Sequence, residues 1–297
     1  KQRGSVPSTM DAKSFSWMLL VVAACLPPAR PAAVDPGLHA RYALGFAGTG
    51  GRIVFLERRE GPSRTLSLVR LDVERGDVTA TPIDDAGLAA DLAGVWPTHD
   101  AVRTLVRASA TGQALLAEGY RFAALAEGAE LATPLGTLSL TDGAAVLTDG
   151  ELRVVAEQLP PSVAPTGWRW LVDPQHRAAV LEVDYHGVPQ VVSPYVLLLR
   201  PIAARLAAAV AYQAYLREQW DEAIVAWQRA AELDPTVGDH HYNLACVYSL
   251  SGRLDRAREA LRQALLLGGR DFAALARTDA DLEALREAGG LDALLTK

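Results

Sequence analysis

The chain carries only two cysteines, Cys25 and Cys246, among its 297 residues. Two cysteines cannot build a disulfide framework or a four-thiolate zinc site. A strongly basic stretch is also lacking, and the formal net charge of −6 is spread along the chain. Nucleic-acid affinity comes from neutralising phosphates with clustered Lys and Arg, so no nucleic-acid partner is expected. The apolar run at residues 17–24 is too short to cross a bilayer, which takes roughly 20 residues. None of the six histidines stands in an HExxH or other ligand spacing. The chain also has no GxSxG nucleophile elbow. The chain therefore reads as non-enzymatic: no catalytic residue can be named, and no metal or cofactor is expected.

What is present is enough apolar residue for a packed core, at 50% of the composition. The N-terminus sets Lys1, Arg3 and Lys13 against one acid, Asp11, ahead of the run from Trp17 to Ala24. A basic segment followed by a short apolar one is the layout of a secretory signal. The run ends in Val22-Ala23-Ala24-Cys25, which resembles the bacterial lipobox. That resemblance implies lipidation of Cys25, and Leu26 in the next position implies the outer membrane. An ordinary signal cut nearby, with Cys25 incidental, is the alternative. Pro27, Pro28, Pro31 and Pro36 make a stiff tether. Residues 1–25 are thus assigned to the signal and 26–41 to a linker.

Residues 42–202 read as a β-rich domain with one helical patch. Arg52–Glu57 and the alternating Thr65–Asp72 flank turn residues and predict a hairpin. Gly136–Leu140, Ala144–Leu147 and Leu152–Val155 are separated by Asp142-Gly143 and Asp149-Gly150, a strong hairpin signal. Trp168–Val172, Ala178–Val183 and Pro189–Val192 form a third group. Between the first two, the Ala- and Leu-rich stretch Gly87–Glu127 predicts one or two helices. Ala43–Glu57 resembles the opening of a blade in bacterial propeller-like proteins. The order of elements resembles a family of predicted secreted bacterial proteins of unknown function, which supplies no activity.

The middle region offers chemistry only weakly. Gly48-Thr49-Gly50-Gly51 precedes a strand rather than a helix, so it reads as a turn and not a phosphate loop. Asp84-Asp85 reads as helix N-terminal charge. Trp168 and Trp170 share one strand face. Exposed they could stack on a sugar; buried they are core, the commoner fate.

Residues 203–297 carry a repeat. Ala211, Ala223 and Ala230 recur 34 residues later as Ala245, Ala257 and Ala264, which is the tetratricopeptide period. Small residues at these positions let paired helices approach. Trp227 fills the large aromatic position, Tyr248 and Gly252 stand at family positions, and Pro235 follows the first helix pair. Two segments thus resemble the tetratricopeptide repeat. Glu218 departs from the family by standing where a turn glycine is usual. Asp271–Arg286 resembles the closing segment of an end-of-array version of the repeat. Two repeats are below the usual minimum of about three, so they need the closing helices, the middle domain or another copy.

The resemblance implies a concave, partner-binding face made of Arg205, Tyr212, Tyr215, Tyr242, Asn243 and Cys246. The tyrosines either recognise a peptide or pack between helices. Overall the sequence predicts an α+β chain: a β-rich domain, then an all-α repeat domain of tetratricopeptide type. The expected function is that of an exported scaffold or adaptor in a bacterial cell envelope, periplasmic or outer-membrane-anchored, with a protein or peptide partner. Membrane contact would come only through Cys25. Glycan or peptidoglycan binding by the middle domain is the alternative.

Overall fold

A computed structural model describes residues 38–59, 64–93, 99–122, 126–127, 130–159, 165–185, 194–268, 271–289 and 291–295. The expected signal with Cys25 and the strand expected at Pro189–Val192 lie outside the described residues. The chain is α+β: a β-rich region of three sheets followed by a helical region. It divides into two compact units, with the break between Leu206 and Ala207.

The first unit opens with a five-stranded antiparallel sheet in the order β4-β3-β2-β1-β5. Its strands are β1 (Leu38–Ala47), β2 (Arg52–Arg59), β3 (Thr65–Asp72), β4 (Val78–Pro82) and β5 (Tyr120–Phe122). β1 begins inside the stretch assigned to the linker. The expected β2–β3 hairpin forms, with Arg52 opposite Asp72 and Arg59 opposite Thr65. Gly50 and Gly51, at φ 71° and 75°, turn β1 into β2, a conformation glycine adopts without steric cost.

Both faces of this sheet are buried at β2, which is why β2 is a continuous apolar run rather than an alternating one. Val54 and Leu56 pack with Leu88, Val102, Val106 and Leu115 of the helical patch. Ile53 and Phe55 pack on the opposite side with Leu171, Ala178 and Val180. The patch comprises three short helices, Ala86–Asp91, His99–Ala108 and Ala110–Ala117, against the expected one or two. The extra break has a local cause. Ser109 stops one helix and caps the next, its hydroxyl accepting from the Gly112 N–H. Gly112 lies so near the previous helix that a Cβ would sit 2.0 Å from the Val106 carbonyl oxygen. The expected helical stretch ends early, because Tyr120–Phe122 pairs with β1 as a strand.

The second sheet runs β10-β9-β8-β7 and the third β13-β12-β11-β6. The second contains β7 (Glu130–Thr133), β8 (Gly136–Thr141), β9 (Ala144–Asp149) and β10 (Leu152–Gln158). Asp142 and Gly143 both take positive φ, 53° and 73°, as a two-residue hairpin turn requires. The third contains β6 (Ala126–Glu127), β11 (Pro165–Val172), β12 (Ala178–Tyr185) and β13 (Tyr195–Leu198).

The helix Leu199–Leu216 spans the break between units, so the boundary expected at Ala203 falls inside it. The second unit continues with the helices Trp220–Leu233, Gly238–Leu250 and Leu254–Leu267. The short helix Phe272–Thr278, a 3-10 turn at Ala280–Leu282, and the helices Glu283–Glu287 and Asp292–Leu295 follow. Among the described residues no helix is long and apolar enough to cross a membrane.

Candidate functional site

The six small positions of the repeat all have relative exposures of 0%: Ala211, Ala223, Ala230, Ala245, Ala257 and Ala264. Trp227 and Tyr248 are buried in the same core. A side chain larger than methyl at the small positions would hold neighbouring helices apart, because interiors are close-packed.

The turn inside each repeat shows the internal symmetry in backbone detail. Gly252 has φ 76°, and Glu218, its equivalent one repeat earlier, has φ 56°. Gln219 N–H donates to the Ala214 carbonyl at 3.0 Å, and Arg253 N–H donates to Tyr248 at 2.8 Å, the same bond one repeat later. The repeat therefore imposes the left-handed turn even where the glycine is missing, at a steric cost that glycine would not bear.

The closing segment lies on the helix Gly238–Leu250. Asp271 caps Phe272–Thr278 by accepting from Ala274 N–H at 2.8 Å, and Asp279 caps the 3-10 turn by accepting from Asp281 N–H at 3.0 Å. Tyr242 donates its hydroxyl to Asp279 Oδ2 at 2.8 Å, and Tyr215 donates to Asp281 Oδ2 at 2.9 Å. Cys246 Sγ is 3.8 Å from the same Asp279 oxygen. The Tyr242 ring stacks on Phe272 with centroids 5.2 Å apart. Phe272, Ala276, Leu282 and Leu285 complete the apolar seal.

The electrostatics follow from this enclosure. Burial, then the neighbouring Asp279 and Asp281, pushes the Cys246 thiol well up, so it lacks the thiolate character of a nucleophile. Burial and the same acids push up the Tyr215 and Tyr242 phenols. Burial raises the Asp281 carboxyl, against the Tyr215 hydrogen bond and with the nearby Asp279 charge. Cys246, Asp279 and Asp281 place one thiol and two carboxylates within 4.8 Å of one another. By distance they could ligate a cation, but both Asp279 oxygens and Asp281 Oδ2 are engaged in the hydrogen bonds just described.

The residues expected on a partner-binding face thus separate. Tyr215, Tyr242 and Cys246 meet the chain's own closing segment. Asn243 is buried at 9% exposure, and Tyr212 is half-buried with its ring stacked 6.3 Å from Tyr215. Arg205 belongs to the first unit, where it donates to the Val155 carbonyl. The exposed stacking pair imagined for a glycan does not form: Trp170 is 1% exposed and Trp168 is half-buried. Asp85 caps Ala86–Asp91, accepting from Leu88 N–H at 3.0 Å and from the Thr111 hydroxyl at 3.0 Å. The backbone hydrogen bonds from Leu88 and Thr111 hold its carboxyl below the usual range.

A second polar centre was missed in the sequence. Glu182 of β12 is fully buried. Its Oε1 accepts from Ala43 N–H at 2.7 Å, and its Oε2 lies 2.7 Å from His99 Nδ1 and 3.0 Å from Arg103 Nη2. Arg103 Nε also donates to the Ala43 carbonyl at 2.8 Å. β5 pairs with β1 only over Gly45–Ala47, so side chains satisfy the backbone of Ala43 beyond its end. Burial raises the Glu182 carboxyl, but the His99 contact, Arg103 and the Ala43 N–H outweigh it and hold it below its usual value. The available signals were a lone acid in the apolar run Ala178–Val183, and a His and an Arg four apart on one helix face.

This arrangement of paired helices around small residues defines the second unit as a helical-repeat module. The tetratricopeptide repeat family model matches residues 226–259, from the latter half of Trp220–Leu233 through Gly238–Leu250 into Leu254–Leu267. Residues 226–259 are thus similar to a tetratricopeptide repeat, a module that generally binds protein or peptide partners. No curated protein and no solved structure matches the chain.

Proposed function

We propose that this protein is a non-enzymatic adaptor of the bacterial cell envelope, exported by its N-terminal signal and held through lipid on Cys25. The repeat module contributes protein binding to the β-rich unit that precedes it. The observation that carries the reading is the tetratricopeptide match over 226–259, together with the buried small-residue helix crossings. With the closing segment seated on Tyr215 and Tyr242, the half-buried Tyr212 is the tyrosine of the expected face that an incoming peptide reaches first. The other two become available on displacing Asp279 and Asp281.

The test is affinity capture with the full chain, comparing wild type with Tyr212→Ala. Loss of a captured protein, with the melting profile unchanged, supports the reading; an unchanged set of partners removes this face from it. Export and anchoring are tested separately by labelled palmitate, which should enter wild type and not Cys25→Ser. Equal labelling of both would end the lipid-anchor reading.

A further inference from the structure

In the first unit, a cleft of about 320 Å³ opens where the three sheets meet. Phe46 of β1 with Arg121 and Phe122 of β5 comes from the first sheet. Leu131 of β7 comes from the second, and Ala126 of β6 with Trp170 of β11 from the third. Its size is in the range of small-molecule sites, which are mostly apolar with a few placed polar groups. The cleft is built in. Its walls are strands of separate sheets, each fixed by its own ladder. β5 is clamped to β1 at Gly45, where a Cβ would lie 2.0 Å from the Arg121 carbonyl oxygen. Phe46 and Trp170 are each 1% exposed and form the floor of the cleft, and Phe46 packs with Ile53, Phe55 and Val180.

Among the described lining residues Arg121 is the charged one. One of its guanidinium nitrogens donates to the Tyr120 carbonyl at 2.9 Å. Among the described residues it has no carboxylate partner, whereas Arg41 of β1 and Arg70 of β3 pair with Glu57 and Glu118. An exposed guanidinium with donors to spare, beside an apolar cleft, matches a ligand with an apolar body and one planar anionic end. We propose that this cleft binds a hydrophobic monocarboxylate, its body against the partly exposed Phe122, Ala126, Leu131 and Val172 and its carboxylate on Arg121. The site stands apart from the repeat module and does not depend on the adaptor reading.

The experiment titrates the full chain with 4-phenylbutyrate, decanoate and the uncharged 4-phenylbutanol, read by calorimetry and by tryptophan fluorescence. Saturable binding of a carboxylate about tenfold tighter than the alcohol is expected, a ratio in keeping with a charge-assisted pair. The order of the two acids reports whether an aromatic or an aliphatic body is preferred. Arg121→Gln should bring the phenyl acid down to the alcohol while leaving the alcohol unchanged. Leu131→Trp should fill the cleft and abolish all binding, with far-ultraviolet circular dichroism confirming the fold. If that variant does not fold, Ala126→Leu replaces it. Failure of both acids to saturate the wild type, equal affinity for acid and alcohol, or binding indifferent to Arg121→Gln would each overturn the proposal.

Discussion

The Tyr242 hydroxyl donates to Asp279 at 2.8 Å, tying the helix Gly238–Leu250 to the segment that closes the array. The contact is charge-assisted and largely enclosed, so removing the hydroxyl forfeits about 1.5–3 kcal/mol. Tyr242→Phe keeps the ring on Phe272 and deletes only the bond. Amide exchange across Phe272–Glu287 should then accelerate by at least tenfold, while Trp220–Leu233 keeps its protection. An unchanged exchange pattern would show that the apolar seal alone holds the segment.

Asp281 gives a pH test of the same seal. Its folded carboxyl is raised above the unfolded value of about 3.9. The native state therefore binds the proton more tightly, and stability falls as pH rises through the folded value. Asp281→Asn retains an acceptor for Tyr215 and removes that dependence. The variant should melt at or above the wild-type temperature at pH 7, the two converging below about pH 3.5, where Asp281 is protonated in both states. A variant that melts well below wild type at pH 7 would mean that the Tyr215 bond requires the charge.

Glu182 has the opposite sign. Its carboxyl is lowered on folding, so its contribution is present above the unfolded value of about 4.3 and is lost as pH falls through the folded one. Glu182→Ala should destabilise the first unit by about 3–5 kcal/mol, because it strands Arg103 and the Ala43 N–H in the interior. Glu182→Gln keeps an acceptor and should be milder. Denaturation followed by tryptophan fluorescence distinguishes the two, and equal losses would point to packing instead of the polar network.

The legibility of this chain follows the range of the interactions. Asp142-Gly143 announced its hairpin because a two-residue turn is set by backbone preferences at those positions. The alanine pairs separated by one repeat announced the helix crossings because each repeats the same local packing demand. Glu182, His99 and Ala43 meet from three distant stretches of chain, and no local pattern encodes that meeting. The cleft between Phe46 and Trp170 was illegible for the same reason: β5 was hidden inside a helical-looking stretch until its pairing with β1 overrode local propensity. The sequence places Tyr215 and Tyr242 on an expected partner-binding face. That the chain's own Asp279 and Asp281 would reach them depended on how the closing segment folds back.

Glu218 holds a left-handed conformation that its repeat equivalent, Gly252, adopts freely. For a residue with a Cβ this conformation costs roughly 1–2 kcal/mol. Glycine relieves that strain but adds backbone freedom to the unfolded chain, which offsets up to about 1 kcal/mol. Glu218 is exposed, and the bonds around the turn are all made by backbone, so the substitution sacrifices no tertiary contact. Glu218→Gly should therefore stabilise the second unit by about 0.5–1 kcal/mol, and Gly252→Ala should destabilise it by a similar or larger amount. Urea midpoints at matched slope measure both. A stabilising Gly252→Ala, or a destabilising Glu218→Gly, would show that something other than the shared left-handed turn sets the geometry between the helices of each repeat.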